Sequence, residues 1–343
     1  MEKAALVKFL QGYKSISIIG MDKNVGKTTV LNYLVKKSRG KIPLGLTSIG
    51  RDGEDIDRVT STEKPKVYIE RGTLIATAKQ CLFNGDITRE IIETTGISTP
   101  MGEVIIARAL SDGFIELGGP SINSYVLKVC SKLKKLGSEL VIVDGAISRK
   151  SSACPTITEA AILSTGASVD RNIDKVIEKT VYTIKNLSIG KENNGEILKC
   201  AENVIKDCRL AIIQESKEIK KIDVTTALEG SRKIVERLDE KSKYIVLKGI
   251  LSDNFLKNVM KYSDKVKNIT LLVEDGTKIF LEKDTLHKFK KIGGRIKVIN
   301  PINIVCVTIN PTSPYGYEFD KDEFIYKLRK QISIPVIDVI GGD

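Results

Sequence analysis

The sequence holds a single histidine, His287, among 343 residues. Its cysteines, Cys81, Cys130, Cys154, Cys200, Cys208 and Cys306, include no Cys-x-x-Cys pair. Without close His or Cys spacings no zinc ligand set can be assembled. A disulfide framework does not suit a long chain of this composition, and most of the cysteines read as small buried hydrophobes. No apolar run approaches the ~18 residues of a membrane-spanning helix. The N-terminal residues mix charges with apolar side chains and offer no small-residue cleavage site, so no secretory signal is read and a cytoplasmic location is expected. Aromatic residues make up 5% of the chain and nowhere interleave with a basic stripe of the kind that stacks bases. The net charge of +12 therefore reads as a solvated, lysine-rich surface, not as a nucleic-acid interface. There is no internal repeat and no low-complexity tract.

What is present is an alternation of apolar runs and amphipathic stretches, which predicts α/β architecture. The spacing predicts a leading helix over 3–12, then strands at 15–19, 42–48, 67–70, 114–117, 139–143 and 160–163. Helices are expected at 27–37, 86–95, 101–110, 121–136 and 172–185. The polar stretch 190–195 is the best linker, dividing a first domain over 1–190 from a second, smaller α/β domain over 191–343. There, strands are expected at 209–214, 243–248, 269–274, 277–281, 295–299, 303–309 and 334–338. Helices are expected near 225–238, 252–262, 284–291 and 320–331. Asp275-Gly276 between two apolar runs reads as a hairpin turn.

The first strand leads into Gly20-Met21-Asp22-Lys23-Asn24-Val25-Gly26-Lys27-Thr28-Thr29 and then a helix, a Walker A-like context. The residue types suit phosphate chemistry. Gly26 lets the backbone approach closely, and consecutive N–H groups around Asn24, Val25 and Gly26 form an anion nest at a helix N-terminus. Lys27 is expected to reach the β- and γ-phosphates, Thr28 to ligate Mg²⁺ and Thr29 to contact the α-phosphate. One departure is Met21, which stands where such loops carry their first glycine.

An acidic metal partner is expected at a strand end, and Asp144, closing the run at 139–143, supplies it. Arg149 just beyond is a candidate cation for the transition state or product, with a plain surface arginine the competing reading. The loop after the second strand carries Asp52, Glu54 and Asp55, near the expected C-terminal edge of a parallel sheet. Asp52, Glu54 or Asp55 could activate water, ligate metal or read a partner, with Asp52 and Glu54 taken as the catalytic candidates; a solvated acidic turn is the competing reading. Asp52→Ala and Glu54→Ala are expected to cut triphosphate turnover while leaving binding largely intact, and unchanged turnover in both would remove that role. Weaker features are the turn-rich segments 95–103 and 114–121, and residues 310–317, whose two prolines and two tyrosines suggest a partner-facing loop in the second domain.

Taken together, residues 20–29, 46–54 and 143–151 resemble the P-loop subunit of the lysine 5,6-aminomutase reactivase. The resemblance implies a P-loop NTPase-like, mostly parallel sheet with helices on both faces. It implies Mg·ATP handled by Lys27, Thr28 and Asp144, and two partners: a MutS-like ATPase subunit and the adenosylcobalamin-dependent lysine 5,6-aminomutase, whose damaged cofactor would be exchanged. ATP is favoured over GTP because no guanine-reading Asn/Thr-Lys-x-Asp motif is present. Two alternatives stay open: a small-molecule kinase or ATP-dependent ligase resembling dethiobiotin synthetase, and a nucleotide-binding regulator that does not hydrolyse.

Overall fold

A computed structural model describes residue 10 and residues 12–50, 66–145, 157–224, 227–262 and 264–339. The chain divides into two compact units, one of residues 1–183 with 303–343 and one of residues 184–302. The first unit runs β1 (Ser15–Gly20), α1 (Lys27–Ser38), β2 (Leu44–Ser48), β3 (Val67–Ile69), β4 (Leu74–Ala78), α2 (Lys79–Phe83), β5 (Arg89–Thr99), β6 (Gly102–Ala109), β7 (Gly113–Ile115), α3 (Asn123–Lys135), β8 (Leu140–Asp144) and β9 (Ala160–Gly166). Helix α4 (Ile173–Leu187) leads into the second unit, which holds α5 (Gly195–Asp207), β10 (Leu210–Gln214), β11 (Ile219–Ile222), α6 (Ala227–Arg237), β12 (Ser242–Leu247), β13 (Leu251–Ser252), α7 (Asp253–Tyr262), β14 (Thr270–Val273), β15 (Ile279–Phe280), α8 (Lys283–Lys291) and β16 (Arg295–Val298). The chain then returns to the first unit with β17 (Ile304–Asn310), α9 (Lys321–Arg329) and β18 (Val336–Asp338).

The large sheet has nine strands in the order β18-β17-β9-β1-β8-β2-β4-β6-β5. From β18 to β4 every neighbouring pair is parallel, while β6 is antiparallel to both β4 and β5. The inner strands β9, β1 and β2 are buried along their whole length because both faces are covered. Alternate residues go to opposite cores. Ile16, Ile18 and Ile142 join Val30, Leu31 and Leu34 of α1, whereas Val141 and Val143 join Val126, Val129 and Leu133 of α3. The α3 residues recur at helical spacing on one face, which is why this segment was legible as a helix. The second unit holds a five-stranded sheet ordered β11-β10-β12-β14-β16, parallel from β12 to β16. No helix among the described residues is long and apolar enough to cross a membrane.

Several expectations are corrected. The segments 86–95 and 101–110 are not helices but fall largely in the antiparallel strands β5 and β6, joined by the turn at Pro100–Met101, with Gly102 opening β6 at φ 98°. Their Ile, Thr and Val content favours a pleated surface, and cross-strand partners decided what local spacing left ambiguous. Residues 303–343 do not belong to a second domain, because β17 pairs with β9 from Ile304↔Ala161 to Asn310↔Gly166. The second unit is thus an insertion that begins within α4, not a terminal domain beginning at 191. The stretch 190–195 is not a linker: Lys191 bridges to Val298 and the Asn194 side chain caps α5. Asp275-Gly276 makes no hairpin, since β14 and β15 lie in different sheets; the Asp275 carboxylate instead accepts from Thr277 N at 2.7 Å. Helix α5, strand β4, helix α2 and strand β11 carried no sequence signal strong enough to be expected. Of the expected leading helix over 3–12, only Leu10 and Gly12 are among the described residues.

Candidate phosphate-binding site

The loop 21–26 joins the end of β1 to the start of α1. Two of its residues are left-handed, Asn24 at φ 57° and Gly26 at φ 87°. Gly26 needs to be glycine because its φ is positive; the space beside it is ordinary, an added Cβ sitting 3.4 Å from Asn310 Cβ. Helix α1 begins without a side-chain cap and without an acidic residue in its first turn. Its first N–H groups have no acceptor within the helix, and the positive end of its dipole faces a lysine instead of a compensating carboxylate. Such a terminus favours an anion.

Lys27 lies back across the end of β1. A Cβ at Gly20 would come within 2.6 Å of Lys27 Nζ and 2.8 Å of its Cδ. Gly20 therefore makes the room that the Lys27 side chain occupies. Lys27 Nζ donates to the Asp22 carbonyl at 3.0 Å. Burial holds its pKa below the usual lysine value, and the negative charges of Asp144 and Asp22 oppose that shift.

Asp144 closes β8, the strand next to β1. It is level with Ile18 on one side and with Ser48 of β2 on the other. Its carbonyl accepts from Ile49 N at 2.9 Å, and Gly145 N donates to Ile18 O at 3.0 Å. This places a carboxylate on the β8 side of the loop, near enough for its charge to act on Lys27. The end of β2 is fixed from outside. Gly119 N donates to Ser48 Oγ at 2.9 Å, and Gly50 N donates to Pro120 O at 3.1 Å. The segment 114–121 is thus more than a connection. Asp52, Glu54, Asp55 and Arg149 lie outside the described residues.

On the other side of the loop stand the ends of β9 and β17. Ser168 Oγ donates to Lys23 O at 2.8 Å, and Asn310 Nδ2 donates to Asn24 O at 2.8 Å. Tyr317 OH donates to Ala167 O at 2.6 Å, and the Arg171 guanidinium lies 5.7 Å from the Tyr317 ring centre. Residues 310–317 therefore belong to the rim of the first unit, not to the second. Asn-Pro at the end of an apolar strand was the available signal. Without the strand order it pointed to no particular neighbour.

Among the described residues no group of three or more His, Cys, Asp or Glu is placed to hold a metal ion. Mg²⁺ is commonly held by one or two protein oxygens together with phosphate oxygens and waters. Thr28 in the first turn of α1 and Asp144 at the end of the adjoining strand are oxygen donors of that kind. No protein-family model, curated protein or solved structure matches the chain.

Proposed function

We propose that the first unit is a P-loop NTPase-like domain that binds Mg·ATP, and that the chain serves as a subunit of a reactivating factor for an adenosylcobalamin-dependent lysine 5,6-aminomutase. The observation that carries the nucleotide reading is the conjunction at the end of β1. An uncapped helix start, a left-handed Gly26 and a partly buried Lys27 meet beside Asp144 on the neighbouring strand. The uncapped helix start and the buried ammonium each carry a local cost, and Gly26 lets a ligand approach the backbone closely. A bound polyphosphate offsets both costs at once.

In this reading the N–H groups of residues 24–28 and the Lys27 ammonium hold phosphate oxygens. Thr28 and Asp144 hold the magnesium, which supplies charge neutralisation for the polyphosphate. Asp52, Glu54 and Arg149 remain the proposed turnover residues, on the sequence argument alone. The partners, a MutS-like ATPase and the aminomutase, follow from the sequence resemblance. Ordering of loops by a γ-phosphate, and their release after hydrolysis, is a known way to drive change in another protein.

Two measurements test the reading in order. Titration of the full chain with Mg·ATP by calorimetry is expected to show saturable binding that Mg·GTP does not match; absence of nucleotide binding would end the proposal. Inactivated aminomutase is then incubated with this chain, the MutS-like subunit, Mg·ATP and fresh adenosylcobalamin. Recovered mutase activity that needs all four is expected. ADP release driven by a small molecule with no protein present would instead favour the kinase or ligase class.

A further inference from the structure

Three successive carbonyls of the phosphate loop are each taken by a side chain. Asp22 O accepts from Lys27 Nζ at 3.0 Å, Lys23 O from Ser168 Oγ at 2.8 Å and Asn24 O from Asn310 Nδ2 at 2.8 Å. In a planar trans peptide the C=O of one residue and the N–H of the next point in opposite directions. Fixing the carbonyls of Lys23 and Asn24 toward the β9 and β17 side therefore fixes the N–H groups of Asn24 and Val25 away from it. The N–H of Lys23, which the first carbonyl would govern, is already used by Asp22 Oδ1 at 2.7 Å.

Asn24 also holds a left-handed φ of 57° without being glycine, a conformation that carries a cost for a residue with a Cβ. Asparagine tolerates this conformation better than most, and the outside hydrogen bond to its carbonyl adds to that tolerance. Asn310 is itself held, since its Oδ1 accepts from Thr312 N at 3.2 Å, which leaves its Nδ2 directed at Asn24 O. Ser168 lies within the short 3-10 turn Ala167–Val169 that follows β9, and Ala167 beside it is tied to Tyr317. Both braces thus rest on anchored backbone.

We propose that Ser168 and Asn310 are positioning residues that set the anion-binding shape of loop 21–26, doing for this loop what its own residues do not. They touch no phosphate. They act by turning the Asn24 and Val25 N–H groups toward where the phosphates bind. The proposal rests on the nucleotide reading above and adds two residues to it that lie more than a hundred positions downstream of the loop in the chain.

Calorimetric titration of the full chain with Mg·ATP tests this with four variants. Ser168→Ala removes one donor, and Ser168→Thr keeps it. Asn310→Asp keeps the shape but replaces a donor by an acceptor facing the Asn24 carbonyl, and Asn310→Ala removes the side chain. One lost hydrogen bond to the loop is expected to weaken binding roughly five- to tenfold in Ser168→Ala and Asn310→Ala. Asn310→Asp is expected to be weaker still, and Ser168→Thr to bind within about threefold of the wild-type chain. Thermal midpoints of all four are measured in parallel, so that a general loss of folding is separated from a loss of loop shape. Wild-type affinity in Ser168→Ala and Asn310→Asp would overturn the proposal while leaving the nucleotide reading intact. Failure of Ser168→Thr to restore binding would also overturn it. Failure of the wild-type chain to bind Mg·ATP would remove both.

Discussion

Lys27→Met is expected to weaken Mg·ATP binding by roughly a hundredfold while leaving the fold as stable as before or more so. The two effects have one cause. The ammonium is partly buried, and that burial lowers its pKa from the usual 10.5 against the opposing charges of Asp144 and Asp22. A charged group held in such a place opposes folding and favours an anion. Between the lowered folded pKa and 10.5 the unfolded chain binds more protons at Lys27 than the folded one, so stability rises with pH there. Below that window the penalty is fully present, and a neutral side chain of similar length removes it. A thermal midpoint for Lys27→Met well below wild type would show that the ammonium supports the fold, against this account.

The same shift predicts a proton linkage for the ligand. Bound polyphosphate adds negative charge beside Lys27 and raises its pKa above the free-protein value. Affinity is then full below the free-protein pKa and falls as pH rises through it, with a proton taken up on binding in that window. Calorimetry in two alkaline buffers of different ionisation enthalpy reads this directly. Buffer dependence should be present in the wild-type chain and absent in Lys27→Met. Equal dependence in both would assign the proton to another group.

The parts of this arrangement that were legible in the sequence are those whose residues are consecutive. Strand, glycine turn and helix follow each other over residues 15–38, and Asp144 ends an unbroken apolar run. What was not legible depends on pairing across long separations. The pairing Asn310↔Gly166 joins residues on either side of the whole second unit, and no local property of 303–310 says which sheet it enters. Read locally, Asn310 was a loop residue of a separate domain. Only the order β17-β9-β1 places it beside Asn24. The misreading of β5 and β6 has a different origin. Ile91, Ile92, Val104, Ile105 and Ile106 fit either a helix face or a sheet, and the antiparallel partner decides. Glycines had the same ambiguity: Gly20 and Gly119 are defined by what passes close to them, which a sequence does not display.

Gly119→Ala is expected to be the most damaging single methyl in the first unit. A Cβ at this position would overlap the carbonyl oxygen of Ser48 and crowd its carbonyl carbon, both backbone atoms that no rotamer change can move. The neighbouring hydrogen bonds leave no slack. Gly119 N donates to Ser48 Oγ at 2.9 Å, Gly118 N to Thr77 Oγ1 at 2.8 Å, and Ala78 N to Gly118 O at 2.7 Å. Forced apart, the segment 118–120 would lose contacts to both β2 and β4. Overpacking of this kind costs on the order of 3 kcal/mol, or roughly 6–12 °C for a unit of this size. Gly195→Ala is the internal control. It opens α5 with nothing within 4 Å of an added Cβ, so it should be neutral or stabilising by up to about 1 kcal/mol. The damage at 119 should also reach the site, because Ser48 is level with Asp144 and Ile49 N holds the Asp144 carbonyl at 2.9 Å. At a temperature where Gly119→Ala is still folded, its Mg·ATP affinity should be lower than wild type and its calorimetric unfolding peak earlier. A shifted peak with unchanged affinity would mean that β2 absorbs the methyl without disturbing β8, and that the rim at 118–120 supports the sheet and not the site.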